Sequence, residues 1–329
     1  MILPNHTLDL RLASLIALAN LATVLERTAL IGTSWYLDAL FLVPGLHRQQ
    51  DASNVNGGEL PAVGAMTTGY VFRIENQAMV FWLQRVGCPG HLVDAWVEPK
   101  DSVVPGRTAS QRLLQDITEL GQLSFVLYAA GITLTIICFG VLSSIGDYWA
   151  VAVLAMLVVA RAVNVVVLRR RAVEGWKGAK EPGVQGDLLV LLSQDRWVRL
   201  RGAVDDLKSV TSGQWIRDLE QMESFAVAGA TLLVYGAVAL APNASTVGNL
   251  YIAVLLLLSV ALLGMCNTVT PDLYMFDHRV RQRGFPKAYV RRVHMANEMI
   301  EEHGGRRDWA IKMGLVLTEP EEHVSDVIM

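Results

Sequence analysis

Charged residues vanish from this chain in long runs, and those runs set the expected elements. Ser224–Pro271 carries no charged side chain and is split by a turn signal at Pro242-Asn243. Each half is near the roughly 20 residues an α-helix needs to cross a bilayer core. The segment is therefore expected to form a transmembrane helical hairpin. Gly121–Gly146 is also uncharged, and Tyr148–Leu168 carries only Arg161 before the block Arg169-Arg170-Arg171. Both read as spans, joined by a turn at "SSIGDY".

The N-terminal third mixes its signals. Leu8–Leu46 is apolar but interrupted by Glu26-Arg27 and Asp38, and Pro44-Gly45 stops it. One long tilted helix or two short segments fit. As one helix, it would place Asn20, Thr23, Arg27, Ser34 and Asp38 on a stripe about 60° wide. Such a stripe faces a bundle interior or a wet cavity rather than lipid. Thr67–Val86 is expected to be a polar-lined crossing, with a helix lying in the interface as the alternative. Gly87–Arg107 contains three prolines and reads as a loop. Ser110–Leu120 reads as an amphipathic turn leading into the next span.

Between the second clear span and the hairpin, Gly186–Gly202 looks like a β-hairpin. Leu188–Leu192 and Trp197–Arg201 flank a turn at Ser193–Arg196, with partial alternation in the second run. An apolar helix segment followed by a loop is the rival. Ala203–Trp215 reads as a short helix ending at Gly213. In Pro286–Leu317, Pro286 sits at an expected first helical position, and Tyr289, Val293, Ala296 and Ile300 share a face. Gly304-Gly305 then separates two tail helices. The expected fold is all-α: an integral membrane bundle of about six helices, five to seven, with a small cytoplasmic insert and a helical C-terminal tail. The expected divisions are a membrane half over 1–168, the insert over 169–223, the hairpin over 224–271 and the tail over 272–329.

Composition agrees with a membrane protein. The chain is 52% hydrophobic and 18% charged, against about 25% charged in soluble domains. Lys and Arg concentrate in 169–217 and after 279, whereas the two short turns carry neither. The basic segments are therefore expected in the cytoplasm, with an endoplasmic reticulum location and a cytoplasmic C-terminus. A net charge of −3 without a basic domain makes nucleic acid an unexpected partner. Cys88, Cys138 and Cys266 have no zinc spacing, and no phosphate-cradling glycine motif occurs. No metal or cofactor is expected. The N-terminus "MILPNHTLDLRL" lacks a basic region and cleavage site, so no removable signal is expected.

Ionisable groups in a bilayer usually have a partner or a task. Glu26, Arg27, Asp38 and Arg161 are the candidates, joined by Arg73 and Glu75 if that segment crosses. In one reading Arg161 pairs with Glu26 or Asp38 and ties helices together. In the other, Glu26 or Asp38 is a general acid, held protonated above its solution pKa of about 4 by burial. It would protonate an alkene or an epoxide. Trp35, Tyr36, Tyr70, Phe72, Phe81 and Trp82 would stabilise the cation through their ring faces or else form a membrane-interface belt, with Arg27, Arg161 and Asn164 lining the cavity or pairing. Asp205-Asp206 either marks a magnesium–diphosphate site or is a helix start favoured by the dipole.

The stretch "GAKEPGVQGDLLVLLSQDRWVRLRGAVDDLKSVTSGQW", with its flanking spans, resembles multi-pass membrane proteins of filamentous fungi. Among them are membrane terpene cyclases of meroterpenoid pathways, of the macrophorin or ascofuranone type. The resemblance covers roughly Tyr148 to Leu317. It implies a lipophilic prenylated substrate, activation by protonation and no metal. No catalytic residue of that group maps onto a position here. A small transporter or channel, and a non-catalytic membrane scaffold, remain the alternatives.

Overall fold

The computed structural model describes residues 13–100 and 121–317. The N-terminal leader reading, the start of the Leu8–Leu46 stretch, the Ser110–Leu120 turn and the end of the tail lie outside the described residues. In chain order the elements before the first long helix are α1 (Thr23–Leu30), β1 (Ala62–Ala65), β2 (Val71–Arg73), α2 (Gln77–Val86) and β3 (His91–Pro99). Then come α3 (Gln122–Ile145), α4 (Tyr148–Arg171), β4 (Gln185–Leu192), β5 (Arg196–Ala203), α5 (Val204–Thr211), α6 (Gln221–Leu240) and α7 (Thr246–Thr268). The chain closes with β6 (Leu273–Met275), β7 (His278–Gln282), β8 (Lys287–Ala288), α8 (Arg292–Glu302) and α9 (Asp308–Lys312).

Among the described residues, α3, α4, α6 and α7 are the four helices long and apolar enough to cross a membrane. They are the spans read from the uncharged runs. Asp147 starts α4 by accepting the Ala150 N–H at 3.0 Å. Ser245 starts α7 by accepting the Gly248 N–H at 2.9 Å. The Asp147 carboxylate also accepts the Ser245 N–H at 2.9 Å and its hydroxyl at 2.6 Å, tying the two short turns together.

The all-α expectation is corrected. The segments outside the four spans build one eight-stranded sheet, ordered β2-β1-β4-β5-β3-β7-β6, with β8 also pairing β3. The β3–β5 pair is parallel and the others are antiparallel. Each pair of spans returns the chain to the side it left, so strands from three separate stretches meet there. Side chains alternate across a strand. Val93, Ala95, Val97, Val190, Val198 and Leu200 form one face and bury against α2, α5 and Trp215. This core also includes Leu30 of α1 and Leu168 of α4, which join the sheet to the bundle. Leu92, Leu189 and Trp197 form the opposite face under α8 and α9.

Three further expectations change with the sheet. Thr67–Val86 does not cross: it is strand β2 followed by the 10-residue α2, too short to span. Its apolar run Met79–Leu83 is buried in the sheet core instead. Gly87–Arg107 is not all loop, since β3 occupies nine of its residues, the central partner of both β5 and β7. Among the described residues the six expected spans become four, because the apolar residues of the N-terminal third cover the sheet or pack as non-helical chain among the long helices. The β4–β5 hairpin, the short α5 and the split of the tail at Gly304-Gly305 match the sequence reading. Pro286 and Tyr289, however, lie before α8: Pro286 leads into β8 instead of opening a helix, and Tyr289 is not on the helical face.

Leu8–Leu46 is not one helix either. It contains a 3-10 turn at Ala13–Leu18, α1, and a second 3-10 turn at Tyr36–Leu40. Ala17 is buried with Val153, Leu157, Ala237 and Ile252, near the ends of α4, α6 and α7 that are remote from the sheet. Residues 31–50 leave the sheet side, enter the bundle and turn back. The Gly45 N–H donates to the Ala17 carbonyl at 3.0 Å. Irregular backbone at membrane depth is tolerated only where protein or water satisfies it.

Candidate functional site

The re-entrant segment explains most polar groups that the sequence places inside the spans. A helix satisfies its own carbonyls; this segment cannot, so side chains on neighbouring helices do so. The Arg161 Nε donates to the Asp38 carbonyl at 3.0 Å, and its Nη1 donates to the Gln49 side chain. The Asn164 amide donates to the Leu46 carbonyl at 3.1 Å and accepts from Gln50 at 3.2 Å. Thr231 donates to the His47 carbonyl at 3.4 Å, and Arg169 to the Ser34 carbonyl at 2.7 Å. Trp215 Nε1 donates to the Gly32 carbonyl at 2.8 Å.

The Asp38 side chain is 3% exposed. One of its oxygens accepts the Tyr128 hydroxyl and the other accepts the Trp35 N–H at 2.8 Å. Arg27, also buried, stands 5.5 Å from the Trp35 ring centre and 5.8 Å from that of Tyr128. Its Nη1 donates to Thr270 at 3.2 Å. Trp35 meets Tyr128 edge-on at 5.3 Å, and Phe41 stacks on Tyr128 at 5.5 Å. Asp38, Arg27, Arg161, Asn164 and Trp35 are thus gathered within one region of the bundle. Arg161 holds the carbonyl of Asp38 and Gln49 rather than a carboxylate.

Two sequence candidates stand apart. Glu26 is half-buried and lines grooves with Phe81, shared with Arg85 and Gln84 on one side and with Gln49 and Asp51 on the other. Tyr36 is 69% exposed and lies under Arg169, 4.1 Å from the guanidinium carbon. Asp205-Asp206 opens α5; Asp206 faces His278 Nε2 at 3.1 Å, and Asp205 accepts the Glu181 N–H at 2.8 Å.

Beside Trp35, where the sheet meets the end of α4, lies a cavity of about 460 Å³. Its apolar wall includes Ile31, Trp35, Val173, Tyr274 and Phe276. Its ionisable groups are Lys100, Arg169, Glu174, Asp277 and His278. Burial pushes the Glu174 carboxyl up, but hydrogen bonds from Lys177 and Ser209 outweigh it and hold the group below its ordinary value. Phe276 and Asp277 form the two-residue turn between β6 and β7 with φ of 47° and 59°. This left-handed region favours Gly, Asn or Asp in such turns, and a bulky Phe there is an outlier that accompanies ligand clamps. The apolar half of the bundle remote from the sheet, by contrast, is filled by Val153, Leu154, Leu157, Val234 and Leu256.

Sequence reasoning missed Tyr128, Gln49, Arg169 and the β6–β7 turn. Tyr128 and Gln49 carry no sequence signal. The turn had one: Leu273 and Met275 flank Tyr274 in a short alternating run followed by "FD".

Among the described residues, the fold is a bundle of four helices long and apolar enough to cross a membrane, with an α/β domain seated on one end, consistent with a membrane protein. No protein-family model matches the chain, and neither a curated protein nor a solved structure is significantly similar to it.

Proposed function

We propose that this protein binds a lipophilic small molecule with a polar head, taken from the membrane leaflet next to its α/β domain. The observation that carries the reading is the cavity between the end of α4 and the β6–β7 turn. It joins an aromatic and aliphatic wall to a charged one, beside the basic end of α4 at Arg169–Arg171. A prenylated metabolite is one ligand of this class. The Lys and Arg content of the sheet side, against none in the two short turns, supports a cytoplasmic α/β domain. A membrane of the endoplasmic reticulum fits that orientation.

A photoreactive prenylated phenol, offered to the purified protein in nonionic detergent, tests the reading. Labelling should fall on peptides containing Trp35 and Tyr274 and should be lost in Thr33→Trp, which fills the cavity. Labelling confined to the lipid-facing surfaces of the spans would overturn it.

Cyclisation of such a substrate is a second reading. The aromatic residues Trp35, Tyr274 and Phe276 at one cavity favour it, since aromatic rings stabilise a cationic intermediate. The initiating acid is the weak point. Both Asp38 oxygens accept hydrogen bonds behind Trp35, and the cavity's Glu174 is held as an anion. Appearance of a cyclised product from a prenylated phenol or its epoxide in microsomes, abolished by Asp38→Asn, would establish this reading. Unchanged product in that variant would remove Asp38 as its acid.

A further inference from the structure

Of the five ionisable groups at the cavity, three are engaged by protein partners. Glu174 pairs with Lys177 at 2.5 Å. His278 has both ring nitrogens occupied, by the Phe276 carbonyl at 2.6 Å and by Asp206 at 3.1 Å. Lys100 lies 5.8 Å from the Tyr274 ring centre and has further interactions. The two that remain are Arg169 and Asp277. Neither makes an ion pair among the described residues. Arg169 spends one N–H on the Ser34 carbonyl and rests on Tyr36, leaving a guanidinium charge without a carboxylate. Asp277 stands exposed at the tip of the β6–β7 turn.

These two charges sit on different walls, one at the end of a span and one on the sheet hairpin. A ligand matched to them carries an anion and a cation in the same head. Arg27 stands over the Trp35 ring, and Lys100 and Arg279 over that of Tyr274, so Phe276, beside Asp277 at the cavity, suits the cationic end, because ammonium groups are attracted to aromatic faces. The anionic end suits Arg169, whose planar fork matches phosphate oxygens. The apolar wall then takes the first part of a hydrocarbon tail.

We infer that the cavity between Arg169 and Asp277 receives the zwitterionic phosphoryl-ammonium headgroup of a phospholipid. Phosphate would lie on Arg169 and ammonium between Asp277 and the Phe276 ring. The inference rests on the amphiphile-binding reading above and names the head that this site selects. An uncharged or purely anionic head would leave Asp277 unmatched.

The test uses the full chain purified in a maltoside detergent, titrated with short-chain phosphatidylcholine, phosphatidylglycerol and free phosphocholine. Binding is followed by the phosphorus resonance and by tryptophan fluorescence. Phosphatidylcholine should bind at least tenfold more tightly than phosphatidylglycerol. Asp277→Asn should erase that preference while leaving phosphatidylglycerol binding unchanged or stronger; Asn is well tolerated at positive φ, so the turn is retained. Arg169→Gln should weaken both phospholipids about tenfold. Equal or tighter binding of phosphatidylglycerol by the unaltered protein would overturn the headgroup assignment yet leave the amphiphile site standing. Binding of free phosphocholine as tightly as the lipid would overturn the membrane as its source. Failure of every phospholipid and of the prenylated phenol to bind the folded protein would overturn the site itself.

Discussion

Arg161, in the middle of α4, holds the backbone carbonyl of Asp38 at 3.0 Å across 123 residues of sequence. The bond fixes the re-entrant segment inside the bundle. It also shows why a cation is retained in an otherwise apolar span. A non-helical carbonyl at that depth has no water to accept from and needs a donor that reaches it.

Arg161→Leu leaves the Asp38 carbonyl and the Gln49 side chain without their donor. Each buried polar group left unpaired costs about 1–3 kcal/mol. The variant should unfold in detergent on the order of 5 °C or more below the parent. Arg170→Leu, at an exposed position two and a half turns away on the same helix, should change little. Equal melting of the two variants would mean that Arg161 does not carry the segment.

Asn164→Asp separates the two bonds of that side chain. The carboxylate keeps an acceptor for Gln50 but has no donor for the Leu46 carbonyl. A destabilisation of about 1–3 kcal/mol is expected, with faster proteolysis around residues 45–50. A cleavage pattern identical to the parent would argue against it.

Gly131 on α3 makes room for the segment. A Cβ there would collide with the ring of Phe41, whereas at Gly140 on the same helix it would meet nothing within 4 Å. Gly131→Ala should therefore cost about 1–3 kcal/mol through overpacking. Gly140→Ala should be neutral or raise the melting temperature, since Ala exceeds Gly in helix propensity by about 1 kcal/mol. The opposite order of the two melting temperatures would refute the packing of Phe41 on α3.

Asp147 supplies a pH dependence. Burial raises its carboxyl, but hydrogen bonds from Ser245 and from the Ala150 N–H outweigh it and hold the group below the ordinary Asp value. A carboxyl lowered on folding contributes stability that is fully present above the unfolded value and is lost as pH falls through the folded one. Asp147→Asn should thus melt below the parent at pH 7, and the gap should close as pH drops below about 4. A gap that persists unchanged at pH 3 would sever the link to the charge.

Sidedness is open to direct labelling. Cysteines at Lys180 and Phe285, both exposed on the sheet side, should react with an impermeant maleimide from the same face of sealed microsomes. A cysteine at Asn243, in a short turn, should react only after permeabilisation. Reaction of all three from one face would contradict the paired spans.

The four spans were legible because their message is local. A run of some 20 residues without charge carries its own membrane preference, whatever lies beside it. The β4–β5 hairpin was legible for a similar reason, its two strands being joined by one tight turn. The sheet was not. Strands β1, β2 and β3 are three to nine residues long, and β1 and β3 reach β4 and β5 across two spans. Short apolar runs do not announce whether a lipid, a helix or a distant strand will cover them. The candidate site divides in the same way. Sequence singled out Asp38, Arg27, Arg161, Asn164 and Trp35 because polar groups are costly among lipid-facing neighbours. Their partners were settled only by tertiary structure, which supplied the re-entrant carbonyls, the Tyr128 hydroxyl and the two walls of the cavity. Burial preference belongs to a residue and its near neighbours, whereas hydrogen bonding of irregular backbone depends on whichever donors the fold brings within reach.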